Sequence, residues 1–171
     1  MSFHKILVAI DNSSLCQPVF AAALELAQLN KATIMLLHCV TTEMVVEPMV
    51  PRTLEAGLPL GAMGNDYQTQ QILIEKQMEE AKTQLKRYSE EAMSHGVLTE
   101  SDFKIGEAGH QLCKVAKDWG ADLIVVGRRG LTGLKEALLG SVSNHVVHHA
   151  PCSVLVIQEV EPAPPAGAVS A

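Results

Sequence analysis

The sequence predicts an α/β fold: a single doubly wound parallel sheet of five strands with helices on both faces. Three observations carry this. Short continuous apolar runs recur, as at Ile6-Leu7-Val8-Ala9-Ile10 and Leu123-Ile124-Val125-Val126, and a run buried on both faces is what a central parallel strand looks like. Segments of helical periodicity alternate with these runs, which implies a parallel sheet with helical crossovers. Right-handed crossovers then restrict the topology to the doubly wound type. The chain has 171 residues, 47% of them hydrophobic, enough for one domain with a sizeable core.

The first strand, Ile6 to Ile10, stops abruptly at Asp11-Asn12-Ser13-Ser14. Val19, Ala22, Ala23, Leu26 and Ala27 follow at i, i+3, i+4, i+7 and i+8, one face of a helix. Its start has two readings: a capping box of Ser14 with Gln17, or Pro18 as the first helical residue. Thr33 to Val40 is the second buried strand. Residues 41–67 break the pattern with Pro48, Pro51, Pro59, Gly57, Gly61 and Gly64, and are read as a long loop or lid. Helical spacing resumes in Ile74, Met78, Ala81, Leu85, Tyr88 and Ala92 and closes near Gly96. Val97 to Ile105 is a more polar strand, suited to a sheet edge. Leu112, Val115, Ala116 and Trp119 mark a short helix ending at Gly120. Asp122 to Val126 is the fourth strand, Ser141 to His149 a helix, and Ser153 to Ile157 the last strand. The domain is expected to span 1–159, with an insertion at about 41–70 and a disordered Pro/Ala-rich tail over 160–171.

The formal net charge is −6, which argues against non-specific nucleic-acid binding and against docking on anionic lipid. It leaves nucleotide binding open, because backbone N–H groups hold phosphate on an acidic protein. Cys16, Cys39, Cys113 and Cys152 form no C-x-x-C pair and sit in or beside apolar runs. They are read as reduced, small core residues. No signal peptide or membrane span is read, so a cytoplasmic location is expected.

In an open α/β sheet, ligands bind beyond the carboxyl ends of the strands, where the strand order reverses. Asp11, Val40 and Gly127 each fall at such an end. From Gly127 the chain reads Gly-Arg-Arg-Gly and reaches Gly140-Ser141-Val142-Ser143 after a short connector. Gly127 and Gly130 offer an open turn for close backbone approach. Gly140 and Ser141 open a helix whose first N–H groups and dipole favour an anion, and the Ser141 and Ser143 hydroxyls can add contacts. This is neither a Walker A loop, which needs Gly-Lys-Ser/Thr, nor a dinucleotide fingerprint, which follows the first strand.

The spacing Gly127-x2-Gly130-x9-Gly140-Ser141 resembles the nucleotide-binding signature of the universal stress protein family. The similarity also takes in Ile6-Leu7-Val8-Ala9-Ile10-Asp11-Asn12-Ser13, the run from Gly120 to Gly127, and His149-Ala150-Pro151-Cys152-Ser153-Val154-Leu155-Val156. The resemblance implies a Rossmann-like sheet of strand order 3-2-1-4-5 and the ATP-binding branch, which typically dimerises through its last strand, here Ser153 to Ile157. It implies that Asp11 and Val40, with Ala9 and Ile10 leading into the aspartate, hold the adenosine end. Gly127, Arg128, Gly130, Gly140, Ser141, Val142 and Ser143 would surround ribose and phosphates. Asn12 stands where the family most often has glycine, which turn chemistry tolerates.

Plainer readings stand beside these. Asp11 suits a simple turn, and Arg128 and Arg129 could only solvate a loop, although a guanidinium here is well placed to pair with phosphate. His145, His148 and His149 have metal-compatible spacing but read better as favourable residues at a helix C-terminus. His38 is read as a core histidine with its hydrogen bonds satisfied. No base, nucleophile or acidic pair is arranged for phosphoryl transfer, so no catalytic or metal-ligating residue is expected, although slow ATP hydrolysis stays open. The function expected is an ATP-binding, homodimeric stress-response regulator. Mg²⁺ is expected to accompany the triphosphate, and a protein partner to use the insertion. The alternatives are a module for AMP, ADP or a cyclic nucleotide, and an adenylating enzyme.

Overall fold

The structure is a computed structural model that describes residues 2–40, 66–128 and 140–158. Its elements are β1 (Lys5–Ile10), α1 (Cys16–Asn30), β2 (Thr33–Val40), α2 (Asp66–Ser94), β3 (Thr99–Ile105), α3 (Ala108–Trp119), β4 (Leu123–Gly127), α4 (Ser141–His149) and β5 (Ser153–Ile157). All pairings are parallel, in one five-stranded sheet of order β3-β2-β1-β4-β5. The predicted fold class and strand order are both seen.

Strand parity builds two cores. Ile6, Val8, Ile10, Ile34, Leu36, Leu123 and Val125 point to one face and pack with Phe20, Ala23, Leu85 and Tyr88 of α1 and α2. Leu7, Met35, Leu37, Ile124 and Val126 point to the other and pack with Leu112, Ala116 and Val146 of α3 and α4. A strand buried on both faces cannot alternate apolar with polar, which explains the unbroken apolar runs. The more polar β3 lies at a sheet edge, as expected.

Several boundaries differ from those read in the sequence. Helix α1 starts at Cys16 with Leu15 at its N-cap and no side-chain cap bond, so neither the Ser14–Gln17 box nor Pro18 opens it. A turn supplies the start instead, with the Cys16 N–H donating to Ser13 O at 3.2 Å. Helix α2 begins at Asp66, inside the segment assigned to the insertion. Over 71–80 no side chain of α2 is buried and Ile72 is 64% exposed, so apolar periodicity gave little signal there. Strand β3 begins at Thr99 because Val97 is still in the α2 exit, where Gly96 takes φ +75° and the Val97 N–H reaches back to Ala92 O. Asp122 precedes β4 and accepts at Oδ2 from the His4 N–H at 2.8 Å, tying the start of β1 to that of β4.

Among the described residues no helix is long and apolar enough to cross a membrane. The four cysteines are free thiols. Residues 41–65 of the insertion at about 41–70, and the whole tail at 160–171, lie outside the described residues.

Candidate functional site

The strand order turns at β1: the chain moves outward through β2 to β3, then returns to place β4 on the other side. The carboxyl ends of β1 and β4 therefore diverge into helices on opposite faces, leaving a crevice between them. A cavity of about 410 Å³ lies there. Of the predicted site residues, Ala9, Ile10, Asp11, Val40, Gly127, Ser141 and Val142 all line it. Residues more than 100 positions apart in sequence thus share one cleft.

Each arrives by a local cause. Asp11 ends β1 in a turn in which the Ser13 N–H donates to its Oδ1 at 2.9 Å and the Ser13 hydroxyl donates to the same oxygen. Val40 ends β2, and its carbonyl accepts from the Gly106 N–H at 2.9 Å. Gly127 is the last residue of β4 rather than part of a turn. A Cβ there would meet Val19 Cγ2 at 3.1 Å and Leu15 Cβ at 3.3 Å, so the glycine also lets α1 approach the sheet. Gly140 is the N-cap of α4 in extended conformation, with no side-chain cap bond. Its carbonyl accepts from the Asn144 N–H at 2.8 Å. The first-turn N–H groups of α4 precede any intrahelical partner, which suits an anion.

Three predicted residues sit differently. The Ser143 hydroxyl donates to Gly140 O at 3.1 Å and the side chain is 1% exposed, so it braces the helix start rather than lining the cleft. Arg128 donates from its guanidinium to Gln158 Oε1 at 3.0 Å, and its N–H donates to Ile157 O, which directs it to the end of β5. Gly130, with Arg129, lies outside the described residues.

Sequence reasoning missed His38, Cys39, Gln77, Glu80, Ala108 and Leu112, which also line the cleft. Gln77 and Glu80 come from α2, where polar residues read only as a solvated face. His38 is a correction: it is 6% exposed, yet its buried Nδ1 has no hydrogen-bond partner, so it is not a satisfied core histidine. Burial holds its pKa below the ordinary 6.5, partly opposed by the Asp11 carboxylate. Burial pushes the Cys39 thiol up to about 12, with the Glu107 carboxylate adding to the effect, which leaves it an inert apolar wall. Cys16 is also raised by burial, opposed by its hydrogen bond with Tyr88.

The histidines of α4 lie against one another: the His145 and His149 rings stack with centroids 4.3 Å apart, and His149 Nδ1 lies 2.9 Å from His145 O. Among the described residues no group of three or more His, Cys, Asp or Glu is placed to hold a metal ion.

The model of the universal stress protein family matches residues 2–158. Universal stress protein Sll1388 of Synechocystis is 37% identical over 159 residues, which covers 92% of this chain and 99% of that protein. Among solved structures, that of the hypothetical protein MJ0577 of Methanocaldococcus jannaschii superposes with a TM-score of 0.73 at 24% identity, over 95% of this chain and all of that one. A universal stress protein family protein from Arabidopsis thaliana, solved with AMP bound, superposes with a TM-score of 0.61 at 22% identity, over 92% of each chain. At these identities the structures attest the shared fold, and the match along nearly the whole chain attests the kinship: this chain belongs to the universal stress protein family.

Proposed function

We propose that the cleft between β1 and β4 binds an adenine nucleotide, ATP foremost, and that the protein is a homodimeric stress-response regulator whose nucleotide occupancy alters a partner-binding surface. The observation that carries this reading is the convergence of Asp11, Val40, Gly127 and the uncapped start of α4 on one cleft. Asp11 and Ile10 face the adenosine end. Gly127, Gly140 and Ser141, together with Gly130, attend the phosphates. Backbone N–H groups and a helix dipole hold charge without transferring it, so the reading assigns no catalytic residue. Mg²⁺ would be carried by the phosphate oxygens of the triphosphate. The half-buried Val154, Leu155, Val156 and Ile157 of the edge strand β5 suit a dimer contact. The insertion at 41–70 is the candidate surface for a protein partner, and the setting is cytoplasmic. AMP is the second reading, favoured by its presence in the Arabidopsis relative.

Calorimetric titration of ATP, ADP, AMP and cAMP tests the reading, on the wild type and on a variant carrying Gly130→Val and Gly140→Val. Micromolar binding of ATP by the wild type, lost in the variant, is expected. Equal affinity in the two proteins removes the phosphate cradle. Tighter binding of AMP than of ATP moves the function to the second reading.

A further inference from the structure

Among the described residues, three buried side-chain polar atoms have no hydrogen-bond partner: His38 Nδ1, Gln84 Oε1 and Ser89 Oγ. His38 alone of these three residues also lines the cleft. Its place follows from register and parity. It pairs with Ile10, the residue before Asp11, and so sits one strand over from the aspartate. Ile34 and Leu36, at the same parity on β2, pack against α1 and α2. His38 thus forms part of the cleft wall on that side, with Cys16 of α1 and Gln77 and Glu80 of α2.

A buried polar atom without a partner is a standing cost to the folded chain. Leucine would fill the same space without it, as Leu36 does two residues earlier. The cost is recovered if the partner arrives with a ligand. The chemistry of that partner is constrained. Burial favours the neutral imidazole, which carries one donor and one acceptor whose positions depend on the tautomer. A hydroxyl both donates and accepts, so it can pair with either tautomer. The torsion that aims the ring is soft, so modest turning brings Nδ1 onto a group in the cleft.

We propose that His38 is a specificity-determining residue of this cleft: its Nδ1 hydrogen-bonds a ribose hydroxyl of the bound nucleotide, beside the Asp11 carboxylate. This rests on the nucleotide reading above. The outcome is a site that distinguishes a ribonucleotide from its deoxy analogue, because loss of the hydroxyl returns the imidazole to its unpartnered state.

The test compares wild type, His38→Leu and His38→Asn. Asparagine keeps a hydrogen-bonding atom at about the reach of Nδ1, and leucine keeps none. Without nucleotide, His38→Leu is expected to melt at or above the wild-type temperature. Its affinity for ATP is expected to fall about tenfold, the ordinary effect of one lost hydrogen bond in a closed site. His38→Asn is expected to stay within about threefold of wild type. Wild type is expected to bind 2′-deoxy- or 3′-deoxy-ATP several-fold more weakly than ATP, and His38→Leu to lose that preference. A purely structural histidine gives the opposite pattern: a lower melting temperature and an unchanged ribose preference. The imidazole ¹⁵N resonances of the wild type supply a readout that needs no variant. If the Nδ1 signal does not move on saturation with ATP, the proposal is overturned while nucleotide binding stands. If wild type binds no nucleotide at all, both readings fall together.

Discussion

His38 couples stability to pH. Its folded-state pKa lies below the ordinary 6.5, chiefly through burial, with Asp11 opposing. Between the folded value and 6.5 the unfolded chain binds more protons, so stability rises with pH in that window and is level above it. On acidification this contribution is lost from about pH 6.5 downward. Denaturant melts from pH 7 to pH 5 are therefore expected to show a steeper fall for wild type than for His38→Leu, and parallel curves would contradict this. At the same scale, legibility varied with the kind of signal. Asp11 was readable because a carboxylate after an apolar run makes a turn with the next residues, and Ser13 does close on it. The unpaired nitrogen of His38 was not readable, since a sequence does not show which polar atoms find partners. The burial of Ser143 was hidden for a related reason: one turn of α4 turns its hydroxyl back onto Gly140.

Elements were legible where burial was one-sided or complete. The stripe of Ala81, Leu85, Tyr88 and Ala92 on α2 is buried as its spacing requires. The start of the same helix, from Asp66, was assigned to the insertion, and over 71–80 none of its side chains is buried. Helix pairing was not legible at all. Helices α3 and α4 meet where a Cβ on Gly109 would stand 2.8 Å from His145 Cβ. That contact is with an atom fixed to the α4 backbone, so the helices would have to part. Gly109→Ala would gain roughly 1 kcal/mol from helix propensity in open solvent. Here it is expected instead to cost about 1–3 kcal/mol through overpacking, measured by urea unfolding. Because α4 carries Gly140 and Ser141 at its start, the same substitution is expected to weaken ATP binding. A stabilised variant with wild-type affinity would show that the two helices have slack.

For the whole molecule, the alternation of strands and helices predicted the class and handed crossovers the doubly wound type, while the strand order followed only from the family resemblance. The sheet closes neither edge: β3 and β5 are its outer strands. β3 carries Glu100, Asp102 and Lys104, the charged dressing that discourages edge pairing. β5 reads Ser-Val-Leu-Val-Ile and has no such protection. The chain is accordingly expected to run in light scattering at twice its 18.4 kDa mass. Val156→Lys is expected to give a monomer that keeps a cooperative melt, because the lysine stem can lie along the half-buried surface with its ammonium in water. A Val156→Lys protein that remains dimeric would place the contact elsewhere.

The bond from the His4 backbone to Asp122 has a consequence for how the protein is made. It joins positions 118 residues apart, and β1 needs β4 to cover its second edge. On the ribosome, β1, β2 and β3 emerge in order and can pair as half a sheet. Counted from its own synthesis, the central strand waits for β4 roughly ten seconds at ordinary elongation rates. During that interval the most apolar strand of the nascent chain has one bare edge, next to the incomplete cleft. The docking of β4 onto β1 is a contact of high sequence separation, which carries a large loop-closure cost. Asp122 anchors that docking from the far end of the strands, away from the cleft, so the site and its assembly are guarded at opposite ends of the sheet.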